Sequence, residues 1–456
     1  MAHNFAKPRL LSRGFMVVLL SGGVCPGPAA MAESATTPSG WTSYAMNGRH
    51  EAVYTSSFPA RSWTYGVPGV DRMDHAIIRT GTQIRNYAGF PIGVSVVDGV
   101  VYAPNDNGYL YALDLQSGRL LWKKNFYNQI MTTPIVATID GSLLVFIGVG
   151  NSVFSYSHAA SFGEAGKAVI RGNGVSGIAA VKASNGTLQW FHPTRAEDMP
   201  TAAFVDGHLI FGNGSGHIRA LDPATGQGLW KQSIMSFVSM SSATPALRGS
   251  IVLMGGTHPS RLYAVDSATG RILWAVHPAH VFSSSAGDGT LAASGHYAVA
   301  QIEVRRPGMP TGQSESEELA LDVHSGKILW TRILGQGKVP PRNKDAVPLI
   351  AGGSVYTGSP VTHEEYRIDL HSGRVLWSVR MSGGMKGAPD LYRSDLIQAL
   401  GSGEIVTLDA ATGRIVHSYH YPHGGFGPQD GVIIGQTYLI GSNAGYLSAI
   451  PVRNLL

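Results

Sequence analysis

Asp288 lies among Ser283-Ser-Ser-Ala-Gly287 and Gly289, small neighbours that leave room for a ligand beside a carboxylate. Asp430 holds a comparable place near the C-terminus, and Asp345 follows Arg342 and Lys344. An aspartate gains or loses its proton near pH 4, which suits general acid/base work in an acidic medium. Arg342, Lys344 and Lys386 supply positive charge that would hold an anion and keep a nearby carboxylate ionised. Each aspartate also suits a plainer role, capping the turn that opens a strand. Comparable connections contribute Asn86, Tyr87, Gln129, Thr132, Glu197, Asp198, Ser241, Ser242 and Gln429, so the set is polar and mixed in charge. Other chemistries find less support. His158, His192, His208, His217, His258 and His296 are scattered without metal-ligand spacing. Arg171-Gly-Asn-Gly174 lacks the strand-to-helix context of a phosphate loop.

These residues are positioned by a repeat. Leu110-YALDLQSGRLLW-Lys123, Ile178-AAVKASNGTLQW-Phe191, Ile218-RALDPATGQGLW-Lys231, Leu262-YAVDSATGRILW-Ala275, Leu319-ALDVHSGKILW-Thr331, Tyr366-RIDLHSGRVLW-Ser378 and Ile405-VTLDAATGRIVH-Ser418 are copies of one hairpin. Each is an alternating strand, a turn with Ser, Thr or Asn before Gly, and a second strand ending in Trp in all but the last. Asp114, Asp222, Asp266, Asp322, Asp369 and Asp409 open the turns, where a short carboxylate accepts backbone N–H groups. Trp122, Trp190, Trp230, Trp274, Trp330 and Trp377 recur at one place and read as packing plugs between units. Between hairpins runs an apolar strand, often after proline, as at Pro134, Pro200, Pro245, Pro348 and Pro389, with looser copies from Asp288 and Asp430. The fold class is all-β, an eight-bladed propeller of eight inner strands and seven hairpins. The stretch around Trp41 and Trp63, to about Arg79, is expected to give outer strands to the last blade and so close the ring. Insertions near 152–173, 307–317 and 335–344 are expected as surface loops, and loops entering the inner strands converge on one mouth of the channel, the place for a site.

Ahead of the propeller, expected to span 33–456 as one domain, Lys7, Arg9 and Arg13 precede a short apolar run and Ala30-Met31-Ala32, the pattern of a signal peptide cleaved after Ala32. The implied location is periplasmic or secreted. The apolar run is too short for a transmembrane helix. Cys25, the one cysteine, lies inside that segment, and Gly22-Gly23-Val24 before it fits a lipidation site poorly. Cleavage would leave no thiolate or disulfide chemistry. The remaining chain carries 31 basic against 29 acidic residues without a basic block, which argues against a nucleic-acid partner and leaves a small anion as the expected one. Homo-oligomer formation stays open.

The L-x-A-L-D-x-x-T/S-G-x-x-L-W hairpin resembles the propeller repeat first known from pyrroloquinoline-quinone (PQQ) enzymes, over nearly all of the chain after residue 32. Three exported families share it. PQQ-dependent alcohol dehydrogenases imply a bound quinone and calcium, but with a vicinal cysteine pair that this chain lacks. The outer-membrane scaffold of β-barrel assembly implies binding without catalysis. Tetrathionate hydrolases of acidophilic sulfur oxidisers need neither quinone nor cysteine, and the low charge, the missing cysteines and the cationic, aspartate-bearing mouth resemble them most. That resemblance implies a hydrolase without cofactor or metal, cleaving tetrathionate to thiosulfate, sulfur and sulfate. A channel aspartate would be its general acid/base, carried here to Asp288 with Asp345 and Asp430 behind it, while Arg342, Lys344 and Lys386 would bind the sulfonates. A binding scaffold is the first alternative and a PQQ dehydrogenase the second.

Overall fold

The hairpin turn organises each blade. Asp369 Oδ1 accepts the backbone N–H (2.8 Å) and the hydroxyl (2.6 Å) of Ser372. Asp114 with Ser117, Asp266 with Thr269, Asp322 with Ser325 and Asp409 with Thr412 repeat the arrangement. Gly373 then takes a φ of 66°, and a Cβ on it would lie 2.6 Å from the Trp330 ring of the preceding blade. Glycine is thus required twice, by the turn and by the indole under it. Each indole N–H donates to a carbonyl beside the next blade's turn: Trp122 to Ala183 (2.8 Å), Trp190 to Pro223 (3.0 Å), Trp230 to Ser267 (3.1 Å), Trp274 to Val323 (2.7 Å), Trp330 to Leu370 (2.8 Å) and Trp377 to Ala410 (3.1 Å). The tryptophans are packing elements, as their periodicity implied.

The computed structural model describes residues 40–54, 56–68, 89–150, 175–284, 290–340 and 345–456. Their strands form eight antiparallel blades in a ring. The inner strands, in order, are Ser95–Val97, Ile135–Ile139, Ala203–Val205, Thr244–Ala246, Ala292–Ser294, Leu349–Ala351, Asp390–Tyr392 and Val432–Ile434. Buried apolar residues on facing blades fill the spaces between sheets.

Termini close the ring, with one difference from expectation. Trp63–Gly66 pairs antiparallel with Tyr446–Pro451 as the outer strand of blade 8, and Trp63 donates to Leu115 O (3.0 Å), taking the tryptophan role for blade 1. Blade 8 therefore has no turn between its third and fourth strands. This explains why the last hairpin ends in His417: opposite it no turn awaits an indole.

Trp41, expected among the outer strands, is instead fully buried in the channel, exchanging backbone bonds with Val136 (2.7 and 2.8 Å). From there the chain follows the inner edges of the blades. Phe204 N–H donates to Thr42 O, Ala293 to Gly48 O, Ile350 to Arg49 O, Ile433 to Ala52 O and Gly435 to Tyr54 O, and Val53–Tyr54 pairs in parallel with the inner strand of blade 8. The bonds from Val136 through Ile433 fall on the second residue of the inner strand in blades 2, 3, 5, 6 and 8, so 41–54 forms a hub that satisfies donors otherwise facing the bore. Trp41 could not serve as an outer plug because its backbone completes the inner edge of blade 2.

The insertions also differ. Expected as loops, 307–317 and 335–344 are in part strand: Gln313–Asp322 and Ile328–Lys338 extend the outer hairpin of blade 5, which gains Val281–Ser284 on its other side. The physical reason is an alternation of buried serines and glutamates from Ser314 to Glu318 that packs toward blade 6. The insertion 152–173, together with Asn86 and Tyr87, lies outside the described residues. No described helix is long and apolar enough to cross a membrane.

Candidate functional site

In this topology the connections leading into inner strands share a face with the turns between second and third strands. Hydrogen bonds tie the two sets together: Gly150 N to Gln129 O, Gly214 N to Glu197 O, Val238 N to Asn213 O and Gly401 N to Gly384 O, at 2.9 to 3.2 Å. That face is the mouth, and the hub lies beneath it.

A belt of side-chain oxygens runs around the mouth. Thr133 N–H donates to Thr201 Oγ1 (2.9 Å), Thr201 N–H to Ser242 Oγ (3.2 Å), Ser242 N–H to Thr290 Oγ1 (3.1 Å) and Ala388 N–H to Asp430 Oδ1 (2.7 Å). Each acceptor stands two residues before its inner strand. Asp430 is thus the acidic member of a structural series, and its counterpart in blade 5 is Thr290. The match between Asp288 and Asp430 expected from the sequence is corrected by this register, because the inner strand of blade 5 starts at Ala292.

Four residues before the strand is a second ring position. Blades 6 and 7 place Asp345 and Lys386 there, whereas blades 2, 3 and 4 place Met131, Met199 and Met240. By register, two neighbouring blades carry charge at this position and three others carry methionine. Asp345 is fully buried and its Oδ2 accepts from Ser283 Oγ (2.9 Å). Lys386 is half-buried, and its carbonyl accepts from Val347 N–H (3.0 Å). Asp288, Arg342 and Lys344 lie outside the described residues, in the connections that end at Thr290 and Asp345.

Burial shapes the acids. It pushes Asp430 up to about 7, offset in part by the Tyr44 hydroxyl and the Ala388 N–H. Asp390 is raised well above the ordinary range by burial and by Asp430. Asp198 rises to about 8 by burial. Tyr44 comes from the hub, packed edge-on against His50 at 5.2 Å between ring centroids, and His50 Nδ1 bonds Pro348 O at 2.7 Å. Burial lowers His50 to about 4. The floor of the mouth thus holds carboxyl groups that keep protons at pH values where free carboxylates have lost them.

Sequence reasoning missed Asp390, Tyr44 and His50, and also Glu318 and Glu365, a buried pair between blades 5 and 6. Burial raises Glu318 to about 8 and Glu365 well above its usual value. A signal existed: Ser314-Glu-Ser-Glu-Glu318 puts acids where other repeats carry apolar strand residues. Among the described residues, no three His, Cys, Asp or Glu converge in a way that would hold a metal ion.

The model of the family described as outer membrane protein assembly factor BamB matches residues 79–298 and 315–454. The chain is 28% identical over 441 residues to the tetrathionate hydrolase of Acidithiobacillus ferrooxidans, covering 92% of this chain and 87% of that one. It is 26% identical to the tetrathionate hydrolase of Acidianus ambivalens, covering 80% and 72%. Among solved structures it resembles BamB from Moraxella catarrhalis (TM-score 0.56, 17% identity, 80% and 94% covered). A quinohemoprotein alcohol dehydrogenase from Pseudomonas putida HK5 is also similar (TM-score 0.57, 13% identity, 91% and 80% covered). Both structural likenesses speak to fold alone.

Proposed function

We propose that this chain, which belongs to the propeller family described as outer membrane protein assembly factor BamB, is an exported hydrolase of tetrathionate. The observation that carries the reading is the similarity to two tetrathionate hydrolases over most of the length of each chain. The mouth supports it chemically. Tetrathionate is a dianion with an apolar, polarisable sulfur chain between two sulfonates. Fixed cations suit its ends, and the methionines of blades 2, 3 and 4 suit the chain. Water and tetrathionate give thiosulfate, sulfur, sulfate and two protons, so the attacking water must lose protons at the site.

Asp288 is the assigned general acid/base, taking a proton from water and returning it to a leaving sulfur group. Asp345, buried at the entry to the inner strand of the next blade, is the next candidate. Asp430 is third, because its Oδ1 is engaged as a rung of the belt. Arg342, Lys344 and Lys386 hold the sulfonates.

Incubating the purified protein with tetrathionate at about pH 3 and assaying thiosulfate tests the activity; absence of turnover overturns it. Asp288→Asn should lower kcat by about a hundredfold or more with an unchanged melting temperature, and unaltered turnover would remove Asp288 from the mechanism. The family's description favours a second reading, a non-catalytic scaffold. Copurification with outer-membrane barrel components, with no turnover, would select it.

A further inference from the structure

One face of each third strand packs toward the preceding blade. At the residue that pairs beside the tryptophan position, blades 1, 2, 4, 5, 6 and 7 carry Tyr111, Ala179, Tyr263, Leu319, Tyr366 and Val406, all buried, and blade 8 carries Ser448. Blade 3 carries Arg219 there. A guanidinium in a packing position departs from the rule of the fold and lacks the compensation such a group normally has. Its Nη2 donates to Ser215 Oγ at 3.3 Å, and its Nε is buried with no hydrogen-bond partner.

The surroundings add positive charge. Lys231 stands directly opposite Arg219 across the strand pair, a like-charge juxtaposition that costs stability unless something neutralises it. His217 lies two residues away on the same face, its Nδ1 at 3.0 Å from Ser215 Oγ. His192, from the outer strand of blade 2, fixes Nδ1 on Gly226 O (2.9 Å). Burial lowers the pKa values of both imidazoles, and the charge of Arg219 adds to the effect. Asp198 is the carboxyl group nearest in effect, but it is buried, accepts from the Thr194 hydroxyl and is kept neutral to about pH 8. No carboxylate lies within ion-pair distance of Arg219 or Lys231 among the described residues.

We propose that the cleft between blades 2 and 3, formed by Arg219, Lys231, His192, His217 and Ser215, binds a tetrahedral oxyanion of the sulfate type. The guanidinium, whose Nε has no partner, gives directed donors and the lysine gives charge, the combination that recognises such anions, while the Ser215 hydroxyl is spent on Asn213 Oδ1 (2.5 Å). The site uses none of the residues assigned to the proposed hydrolysis and does not rest on it. Free sulfate and the sulfonate end of a larger sulfur oxyanion share this chemistry.

Calorimetric titration of the whole protein with sodium sulfate at about pH 5, against sodium chloride at equal ionic strength, reads the site. One sulfate per chain and no chloride uptake are expected. Arg219→Tyr, which installs the plug of blades 1, 4 and 6, should weaken sulfate binding about tenfold or more while preserving the melting temperature. Arg219→Lys should fall between the two, since it keeps charge and loses the fork. Tetrathionate as titrant on an Asp288→Asn background distinguishes the sources: uptake sensitive to Arg219→Tyr shows that the sulfonate end is accepted, and insensitive uptake confines the cleft to free sulfate. A wild-type protein that takes up no sulfate at millimolar concentrations overturns the proposal, and so does an Arg219→Tyr variant that binds it undiminished. Turnover of tetrathionate by Arg219→Tyr is expected to be unchanged, so failure of the cleft and failure of the hydrolase reading are read separately.

Discussion

On the face that carries the hairpin turns, Asp114, Asp266, Asp322, Asp369 and Asp409 accept hydrogen bonds from the serine or threonine three residues on, and those bonds hold their pKa values below the ordinary carboxylate range. On the mouth face and its floor, Asp198, Asp390 and Asp430 are raised by burial. The difference lies in what surrounds an identical side chain. A turn supplies donors and solvent, so the charged form wins; a blade junction supplies apolar neighbours and another carboxyl, so the neutral form wins. The first group is structural and ionised, and the second is a reserve of protons beside the mouth.

Consequences for stability have opposite signs. A carboxyl whose folded pKa is raised stabilises fully below its unfolded value and loses that contribution as pH rises through the folded one. For Asp430 the window runs from about 4 to about 7. Turn aspartates, with depressed values, stabilise above about pH 4 and lose their contribution as pH falls through the folded value. His50, lowered to about 4, also loses its contribution as pH falls below about 6.5. Maximal stability is therefore expected on the acidic side of neutrality.

The largest test bears on the hub under the mouth. A Cβ on Gly48 would lie 2.2 Å from Pro245 O, a backbone atom with no room to retreat. Gly48→Ala should destabilise by about 3 kcal/mol, read by thermal melting. A loss of only a few tenths would mean that the inner edges do not hold the hub.

Asp430→Ala leaves the buried Ala388 N–H without its acceptor and should cost about 2 kcal/mol at pH 5. Asp430→Asn keeps an acceptor and removes the titration. Its melting temperature should decline less steeply than that of the wild type between pH 5 and pH 8. Parallel declines would show that Asp430 ionises in the folded state as freely as a turn aspartate.

The smallest effect belongs to the turn face. Asp369→Ala removes two hydrogen bonds at an exposed site and should cost about 0.5 kcal/mol at neutral pH. The difference from wild type should shrink as pH falls through the depressed folded value of the carboxyl. A persistent gap below that value would place the benefit in the packing of the turn and not in its charge.

Sequence alone determined the blades. A tryptophan, a turn aspartate and a glycine at fixed spacing are local chemistry repeated, and each needs only the same element in the next blade to complete it. Even the missing tryptophan at His417 was visible, although its cause, a blade without a turn, required the closed ring. The mouth could be located in the sequence, but the register that puts Thr290 opposite Asp430 could not, because the strand start is set by pairing with neighbours. Tertiary structure alone decided the hub. Residues 41–54 have no repeat to mark them, and their hydrogen bonds reach partners as far as Ile433 and Gly435, at the other end of the chain. It also decided which acids hold protons, since burial at a blade junction is a property of two distant segments brought together, and only the acidic run before Leu319 marked one of them in the sequence.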